Sequence, residues 1–250
     1  MEYKGSAAYA YDQQEFFDRY MQRRHRTESP NTSIEKPSFF ELIGEISGTH
    51  ILDLGCGDAS LGMDLLNLNV SSYTGIDGSA NMCHKAAETL KGTKGRVIQS
   101  TMEEYSFPPA EFDLVVSQVA LHYLEDFAGI ANKVYQTLKP GGKFVFSVQH
   151  PLLTASFKSM TESGKKSDWI VDDYFHSGKR TEPWIGEEVV KYHRTTEEYF
   201  TALQNAGFLI SGLNEGTPQA ANFDDPEEYK RRMRIPLFLL FSCEKRCGCV

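Results

Sequence analysis

The segment His50-Ile-Leu-Asp53-Leu-Gly55-Cys56-Gly57-Asp58-Ala59-Ser60-Leu-Gly62 runs from apolar residues into a glycine cluster and then into a helical pattern. Glycine permits a tight turn and places no Cβ between chain and ligand, so a small molecule can lie against main-chain N–H groups there. Strand-to-helix turns also need glycine for purely structural reasons, so the loop alone is weak evidence. Tyr73-Thr-Gly-Ile-Asp77 strengthens it: a second apolar run ends in a carboxylate, and a carboxylate at the tip of a second strand accepts hydrogen bonds from ribose hydroxyls. Together they point to a nucleoside ligand. The dinucleotide fingerprint requires G-x-G-x-x-G, whereas Gly55-Cys-Gly57-Asp-Ala-Ser60 puts serine at the third glycine, which disfavours NAD.

Three histidines stand where a reaction partner of that ligand could be handled. His122 follows Ser117-Gln-Val-Ala-Leu, His150 precedes Pro151, and His193 precedes Arg194-Thr195. His150 and His193 are the candidate catalytic residues, as polar acceptor contact and general base, because imidazole titrates near neutrality. The competing readings are a turn residue restrained by Pro151 and a helix-start residue bonding its own loop. Tyr11, Tyr174 and Trp184 are candidate walls of a substrate pocket. They belong to an aromatic front segment with Tyr3, Tyr9 and Phe16, and to a later stretch with Trp169 and Phe175. Aromatic rings also pack loops down, so part of this set is expected to be structural.

These residues need a scaffold. From His50 onward, Ile51–Leu54, Tyr73–Ile76, Arg96–Gln99, Phe112–Ser117 and Lys143–Val148 read as strands. About Ser60–Leu68, Ala80–Leu90 and Phe127–Leu138 read as helices, the last ended by Lys139-Pro-Gly-Gly142. Continuous apolar runs are strands buried on both faces, hence a parallel sheet with helices on each side. Thr195 and Glu198 form a capping box opening a helix to about Asn205, closed by Gly207. Phe208–Leu213 and Pro236–Cys243 are final strands separated by an acidic, proline-containing loop. Ahead of the core, Glu15–Met21 reads as an amphipathic helix, Glu28–Ser33 as a loop, and Phe39, Phe40, Leu42, Ile43 and Ile46 fall at helical spacing. Residues 151–192 have no clean period, and a long connection of that kind is usually functional. The chain thus divides into an N-terminal helical cap at 1–48, a cofactor-binding core at 49–150, a lid insertion at 151–194, and C-terminal helix and strands at 195–250.

Four motifs in order across residues 50–150 resemble the class I S-adenosylmethionine-dependent methyltransferases. Leu52–Gly57 is similar to their first motif and Gly75-Ile-Asp77-Gly-Ser79 to their second. Phe112–Ser117 resembles their fourth strand and Leu138-Lys-Pro-Gly-Gly142 the approach to their fifth. The resemblance implies a Rossmann-like α/β fold. Its seven-stranded, mostly parallel sheet has helices on both faces and one antiparallel strand, for which Pro236–Cys243 is the candidate. It also implies S-adenosyl-L-methionine as cofactor, S-adenosyl-L-homocysteine as product, and methyl transfer to a small-molecule acceptor. Carried over by position, Asp53, Gly55, Cys56 and Gly57 hold the methionine end, and Asp77 the ribose hydroxyls. Ser79 and Met82 lie near the adenine. Thr101 stands where the family usually has an acidic residue, which leaves the Met102 backbone as donor to the ring. Gly78, Ser117 and His122 complete the implied cofactor set, and Ala59 replaces a common glycine. Methyl transfer needs in-line approach and exclusion of water, and positioning alone can supply roughly 7–11 kcal/mol of the barrier. A base is then optional.

Bulk properties narrow the field. The 250 residues suit one α/β domain. A net charge of −8 argues against a nucleic-acid-binding face, and the basic runs Arg23–Arg26 and Lys230–Arg234 are short enough to be solvated helix faces. The lack of an Asn/Asp-Pro-Pro-Tyr/Phe motif after the fourth strand counts against base-amine methylation. Five cysteines, at 56, 83, 243, 247 and 249, follow no signal peptide and show no disulfide spacing, which suggests the reducing cytoplasm. No metal is expected, since Cys247-Gly-Cys249 has no second pair, and no window approaches the roughly 20 apolar residues of a membrane span. The alternatives are an RNA or protein methyltransferase and a non-catalytic S-adenosylmethionine-binding protein. The sequence leaves the oligomeric state open.

Overall fold

The computed structural model describes residues 7–24, 26, 29–156 and 168–247. Tyr3, Glu28, Cys249 and the stretch 157–167 of the expected lid lie outside them. Nine strands are present among the described residues: β1 (His50–Leu54), β2 (Ser72–Asp77), β3 (Gly95–Gln99), β4 (Phe112–Gln118), β5 (Leu138–Gln149), β6 (Gly178–Trp184), β7 (Glu187–His193), β8 (Leu209–Asn214) and β9 (Phe238–Glu244). Seven of them form one sheet in the order β3-β2-β1-β4-β5-β9-β8. β9 runs antiparallel to both neighbours and the other pairings are parallel. The Rossmann-like architecture and the antiparallel strand near Pro236–Cys243 are therefore as expected.

Strand residues point alternately to the two faces, and each face has its own core. From β1, Leu52 and Leu54 enter one core with Phe127 and Val134 of α6 (Phe127–Thr137), Tyr199 of α8 (Thr196–Asn205) and Phe146. Ile51 enters the other with Phe39 of α3 (Lys36–Ile43), Leu65 of α4 (Ser60–Leu66) and Ala86 of α5 (Ala80–Thr89). Phe146 lies 4.8 Å from Phe144 and 5.4 Å from Phe241, ring to ring, which locks β5 to β9. The capping box of α8 is formed: Thr195 Oγ1 accepts from Glu198 N at 3.1 Å and Glu198 Oε2 from Thr195 N at 2.7 Å.

Four elements differ from the sequence reading. Within 151–192, β6 and β7 form a two-stranded hairpin after the short helix α7 (Pro151–Thr154). Its loop, Ile185-Gly186, has both residues at positive φ (54° and 90°), as a two-residue hairpin turn demands. Isoleucine at such a position hides the turn, which is usually written with Asn or Asp. The Lys139–Gly142 segment, expected to end a helix, begins β5, with Leu138 paired to Phe112. The acidic loop before β9 contains a helix, α9 (Pro226–Arg232), which Asp225 caps by accepting from Glu227 N at 2.9 Å. Finally, the expected loop up to Ser33 leads into a π-helical turn at Asn31–Glu35. The front segment forms two helices, α1 (Ala7–Asp12) and α2 (Gln14–Arg24).

Candidate functional site

The parallel strands end at a common edge, and the sheet order departs in opposite directions from β1, toward β2 on one side and β4 on the other. Open α/β sheets bind ligands at such a switch point. The glycine loop lies there. Gly55 N and Cys56 N donate to Ile76 O at 2.9 and 3.0 Å, tying the loop to the end of β2. Gly55 has φ 73°, and a Cβ on it would stand 2.6 Å from Ala120 Cβ and 2.9 Å from Met102 Cε. At Gly57, with φ 55°, a Cβ would meet nothing within 4 Å. Gly55 is glycine because the chain crowds it; Gly57 forms an open ledge. Gly57 N donates to Asp77 Oδ2 and Ser79 N to Asp77 Oδ1, both at 2.9 Å. These bonds hold the carboxylate at the ledge, while burial raises its pKa above the usual range.

Asp53 is buried. Its Oδ2 accepts from the Tyr73 hydroxyl at 2.7 Å, and its Oδ1, also buried, has no donor among the described residues. Burial pushes this carboxyl up to about 7. An unsatisfied buried acceptor costs on the order of 1–3 kcal/mol, more when charged. Nearby, a cleft of about 160 Å³ is lined by Arg24, Lys36, Ser60, Gln118 and the side of the π-helical turn. Arg24 Nε stands 3.5 Å from Asp58 Oδ1, and Lys36 Nζ 2.6 Å from Asp64 Oδ2.

The N-terminal helices cover the edge of the site. Asp12 Oδ1 accepts from Ser79 Oγ at 2.6 Å and Asn81 N at 3.1 Å, so the end of α1 is fastened to the start of α5. A Cβ on Gly78 would lie 3.1 Å from Ala8 Cβ, so α1 rests beside Asp77. Tyr11 packs edge-on against Phe16, Tyr20 and Trp184, with centroids 4.9–6.2 Å away, and its hydroxyl bonds that of Tyr123. Front segment and hairpin thus meet in one aromatic cluster. Behind Trp184, the buried Lys191 ammonium reaches Glu182 Oε2 at 2.5 Å and Gln149 Oε1 at 3.0 Å.

Of the residues expected from sequence, Asp53, Gly55, Cys56, Gly57, Asp77, Gly78 and Ser79 come together around the loop. Met102 meets them at Gly55, and Thr101 Cγ2 stands 3.4 Å from a Cβ position on Gly78. Met82 is buried in α5, its N–H donating to Ser79 Oγ. Ser117 is fully buried with its hydroxyl donating to Leu54 O at 2.7 Å, which makes it a tie between β4 and β1. His122 is buried against Tyr123, and burial with nearby Lys191 and Arg194 holds its pKa well below the usual value. Tyr11 and Trp184 are joined, but Tyr174 sits apart, against His193 and Phe175.

His150 and His193, the candidate catalytic residues, are both engaged by the chain in this structure. His150 Nδ1 accepts from Leu152 N at 3.1 Å, capping α7, and its Nε2 meets Glu215 Oε1 at 2.9 Å. His193 Nδ1 meets Thr154 Oγ1 at 2.6 Å and its Nε2 meets Tyr174 O at 2.8 Å. Both nitrogens of each ring thus have partners, the Nε2 of His150 an exposed carboxylate and that of His193 a main-chain carbonyl. Sequence reasoning missed Asp12, Glu35 and Gln118, whose contacts span large separations and follow no local period, and it placed Arg24 on a solvated helix face, whereas that side chain is mostly buried against Tyr20 and Asp58. A carboxylate closing α1 was the sole local signal for Asp12. Among the described residues Cys56, Cys83, Cys243 and Cys247 are free thiols, no cluster of three or more His, Cys, Asp or Glu is arranged for a metal ion, and no helix is long and apolar enough to cross a membrane.

Comparison with known proteins agrees with the geometry. A family model described as a methyltransferase domain matches residues 52–146. The crystal structure of an S-adenosylmethionine dependent methyltransferase from Mesorhizobium loti is 33% identical, covers 84% of this chain and 97% of its own, and superposes with a TM-score of 0.78. An uncharacterized protein of Haemophilus influenzae is 29% identical over 250 residues, 94% of this chain and 96% of its own. A demethylmenaquinone methyltransferase from Lactococcus lactis is 26% identical over 175 residues, 67% of this chain and 68% of its own.

Proposed function

This chain belongs to the class I S-adenosylmethionine-dependent methyltransferases, and we propose that its methyl acceptor is a small organic molecule. The observation that carries the proposal is the aromatic closure in which Tyr11, Phe16 and Tyr20 of the front helices pack on Trp184 of the hairpin beside the site. A cover built from two separate segments suits an acceptor it can enclose, and enclosure excludes water. The acidic net charge supports the same reading over a nucleic-acid acceptor, as does the similarity to a demethylmenaquinone methyltransferase.

The residues present fit the cofactor. Asp77 would accept from the ribose hydroxyls beside the Gly57 ledge, and the orphaned Asp53 oxygen would answer the positive charge of the methionine end. Arg24 and Lys36, which line the cleft, would hold the carboxylate of that end. Thr101 and Met102 would flank the adenine with Ser79 and Met82. S-adenosylmethionine supplies a methyl carbon made electrophilic by its sulfonium; the chain's task is alignment and exclusion of water. The test is to incubate the protein with the cofactor and a panel of small phenols, quinols, amines and carboxylic acids, reading release of S-adenosylhomocysteine. Turnover on a member of the panel is expected; turnover confined to RNA or protein substrates would overturn the proposal.

A further inference from the structure

Glu35 is fully buried at the end of the π-helical turn, an element that recurs at functional sites. Its Oε2 accepts from Gln118 Nε2 at 2.5 Å and its Oε1 from Ser147 Oγ at 2.6 Å. Ser147 Oγ in turn accepts from Val119 N at 3.0 Å. Val119 has φ 54°, a conformation that a β-branched residue adopts only when its surroundings impose it. The next residue, Ala120, is the one whose Cβ crowds Gly55. Glu35 therefore reaches, through two bonds, the turn against which the glycine loop packs.

Gln118 lines the cleft with Arg24 and Lys36. A carboxylate only accepts hydrogen bonds, so it fixes which amide atom faces it. With Nε2 committed to Glu35, no described residue donates to Gln118 Oε1. Resting on the methyltransferase reading, we propose that Glu35 is a positioning residue that turns the Gln118 amide oxygen toward the ammonium group of the cofactor's methionine end. It does so while holding the Val119 turn through Ser147. Were the amide reversed, its NH₂ would oppose that ammonium.

The test is calorimetric titration of wild type, Glu35→Gln and Gln118→Met with two probes. S-adenosylhomocysteine carries the ammonium group; 5′-methylthioadenosine lacks the whole amino-acid end. A glutamine at 35 lets the two amides pair with Gln118 reversed, so its affinity for S-adenosylhomocysteine should fall about 10- to 100-fold, the range of a hydrogen bond to a charged group. Affinity for 5′-methylthioadenosine should stay within about twofold. Gln118→Met leaves Glu35 in place and should show the same split, which keeps the proposal testable if the first variant misfolds. The charged groups around Glu35 are Arg24 from α2 and Lys36 beside it. Neither loses its charge between pH 5.5 and 8. Protonation of Glu35 frees the amide to turn either way, so wild-type S-adenosylhomocysteine affinity should weaken between pH 8 and 5.5, and Glu35→Gln should lose the part that Glu35 contributes while keeping the part that Asp53 contributes through the same ammonium group. Variants that bind both probes like wild type would overturn the proposal. Wild type binding neither probe would instead overturn the assignment of the cofactor site.

Discussion

Gly55 and Gly57 share a left-handed backbone and differ in what surrounds them, so the same substitution should separate stability from binding. Alanine in that conformation costs roughly 1–2 kcal/mol. At Gly57 nothing else opposes it, so Gly57→Ala should lose about that much stability while its new methyl occupies the ledge and lowers affinity for S-adenosylmethionine at least about tenfold. At Gly55 the methyl also meets Ala120 and Met102, and overpacking adds about 1–3 kcal/mol, so Gly55→Ala should be the less stable of the two. Thermal melts paired with calorimetry decide this; equal melting losses would mean the crowding at Gly55 relaxes freely. Ala59 already sits at φ 58° with its methyl fully buried. Strain relief and lost burial nearly cancel there, so Ala59→Gly should shift stability by less than about 1 kcal/mol. Asp77 is the sharper probe. Asp77→Ala removes the ribose acceptor and leaves two N–H donors unpaired, so cofactor affinity should drop by about 100-fold or more with the fold retained. An unchanged dissociation constant would place the cofactor elsewhere.

At the scale of elements, α1 is fastened to α5 chiefly through one carboxylate, with Asn81 Nδ2 donating to Tyr11 O beside it. Asp12 accepts from Ser79 Oγ and Asn81 N, and the sheet beneath does not need α1 to close its two cores. Asp12→Ala should therefore leave the melting temperature within a few degrees of wild type, speed hydrogen exchange across 7–24, and weaken cofactor binding through loss of the cover beside Asp77. Unaltered exchange would show that the Tyr11 cluster alone holds α1. Legibility in the sequence divides along the same line. The strands β1, β2, β4, β5 and β9 announced themselves because burial on both faces leaves apolar runs, and Asp53, the glycines and Asp77 because backbone geometry at a strand tip restricts residue type. The hairpin β6–β7 escaped notice because its covered face carries Arg180, Glu182 and Lys191 beside its apolar residues and its turn is written Ile185-Gly186. Glu35 and Gln118 escaped because their partnership spans 83 residues and exists only once β4 is laid beside β5. His150 and His193 show the complementary case: a histidine at the start of a helix or the end of a strand looks the same in sequence whether it bonds its own chain or serves a substrate.

For the molecule as a whole, buried titratable groups of two kinds set opposite slopes of stability against pH. Glu35 and Asp53 are each pushed up to about 7 by burial, and Asp77 is also raised. A carboxyl whose folded pKa lies above its unfolded value binds more protons when folded. Its stabilisation is complete below the unfolded pKa near 4 and is lost as pH climbs through the folded one. His122, His150 and His193 are lowered, chiefly by burial. Below about 6.5 the unfolded chain binds protons that the folded chain refuses, so their contribution is complete above that pH and lost beneath it. Asp113 and Glu198 are lowered carboxyls and matter only near pH 4 and below. Acidification from pH 8 should thus stabilise the free protein until the histidines reverse the trend, giving a maximum in unfolding free energy between about pH 6 and 7. Saturating S-adenosylhomocysteine brings an ammonium group to Asp53 and lowers its pKa, so the decline on the alkaline side should flatten in the complex. Urea unfolding at steps from pH 5 to 8, with and without that ligand, measures both effects. A stability that rises monotonically across this range in the free protein would mean that Glu35 and Asp53 ionise with ordinary carboxylate pKa values, and that the buried acceptor at Asp53 is satisfied before any cofactor arrives.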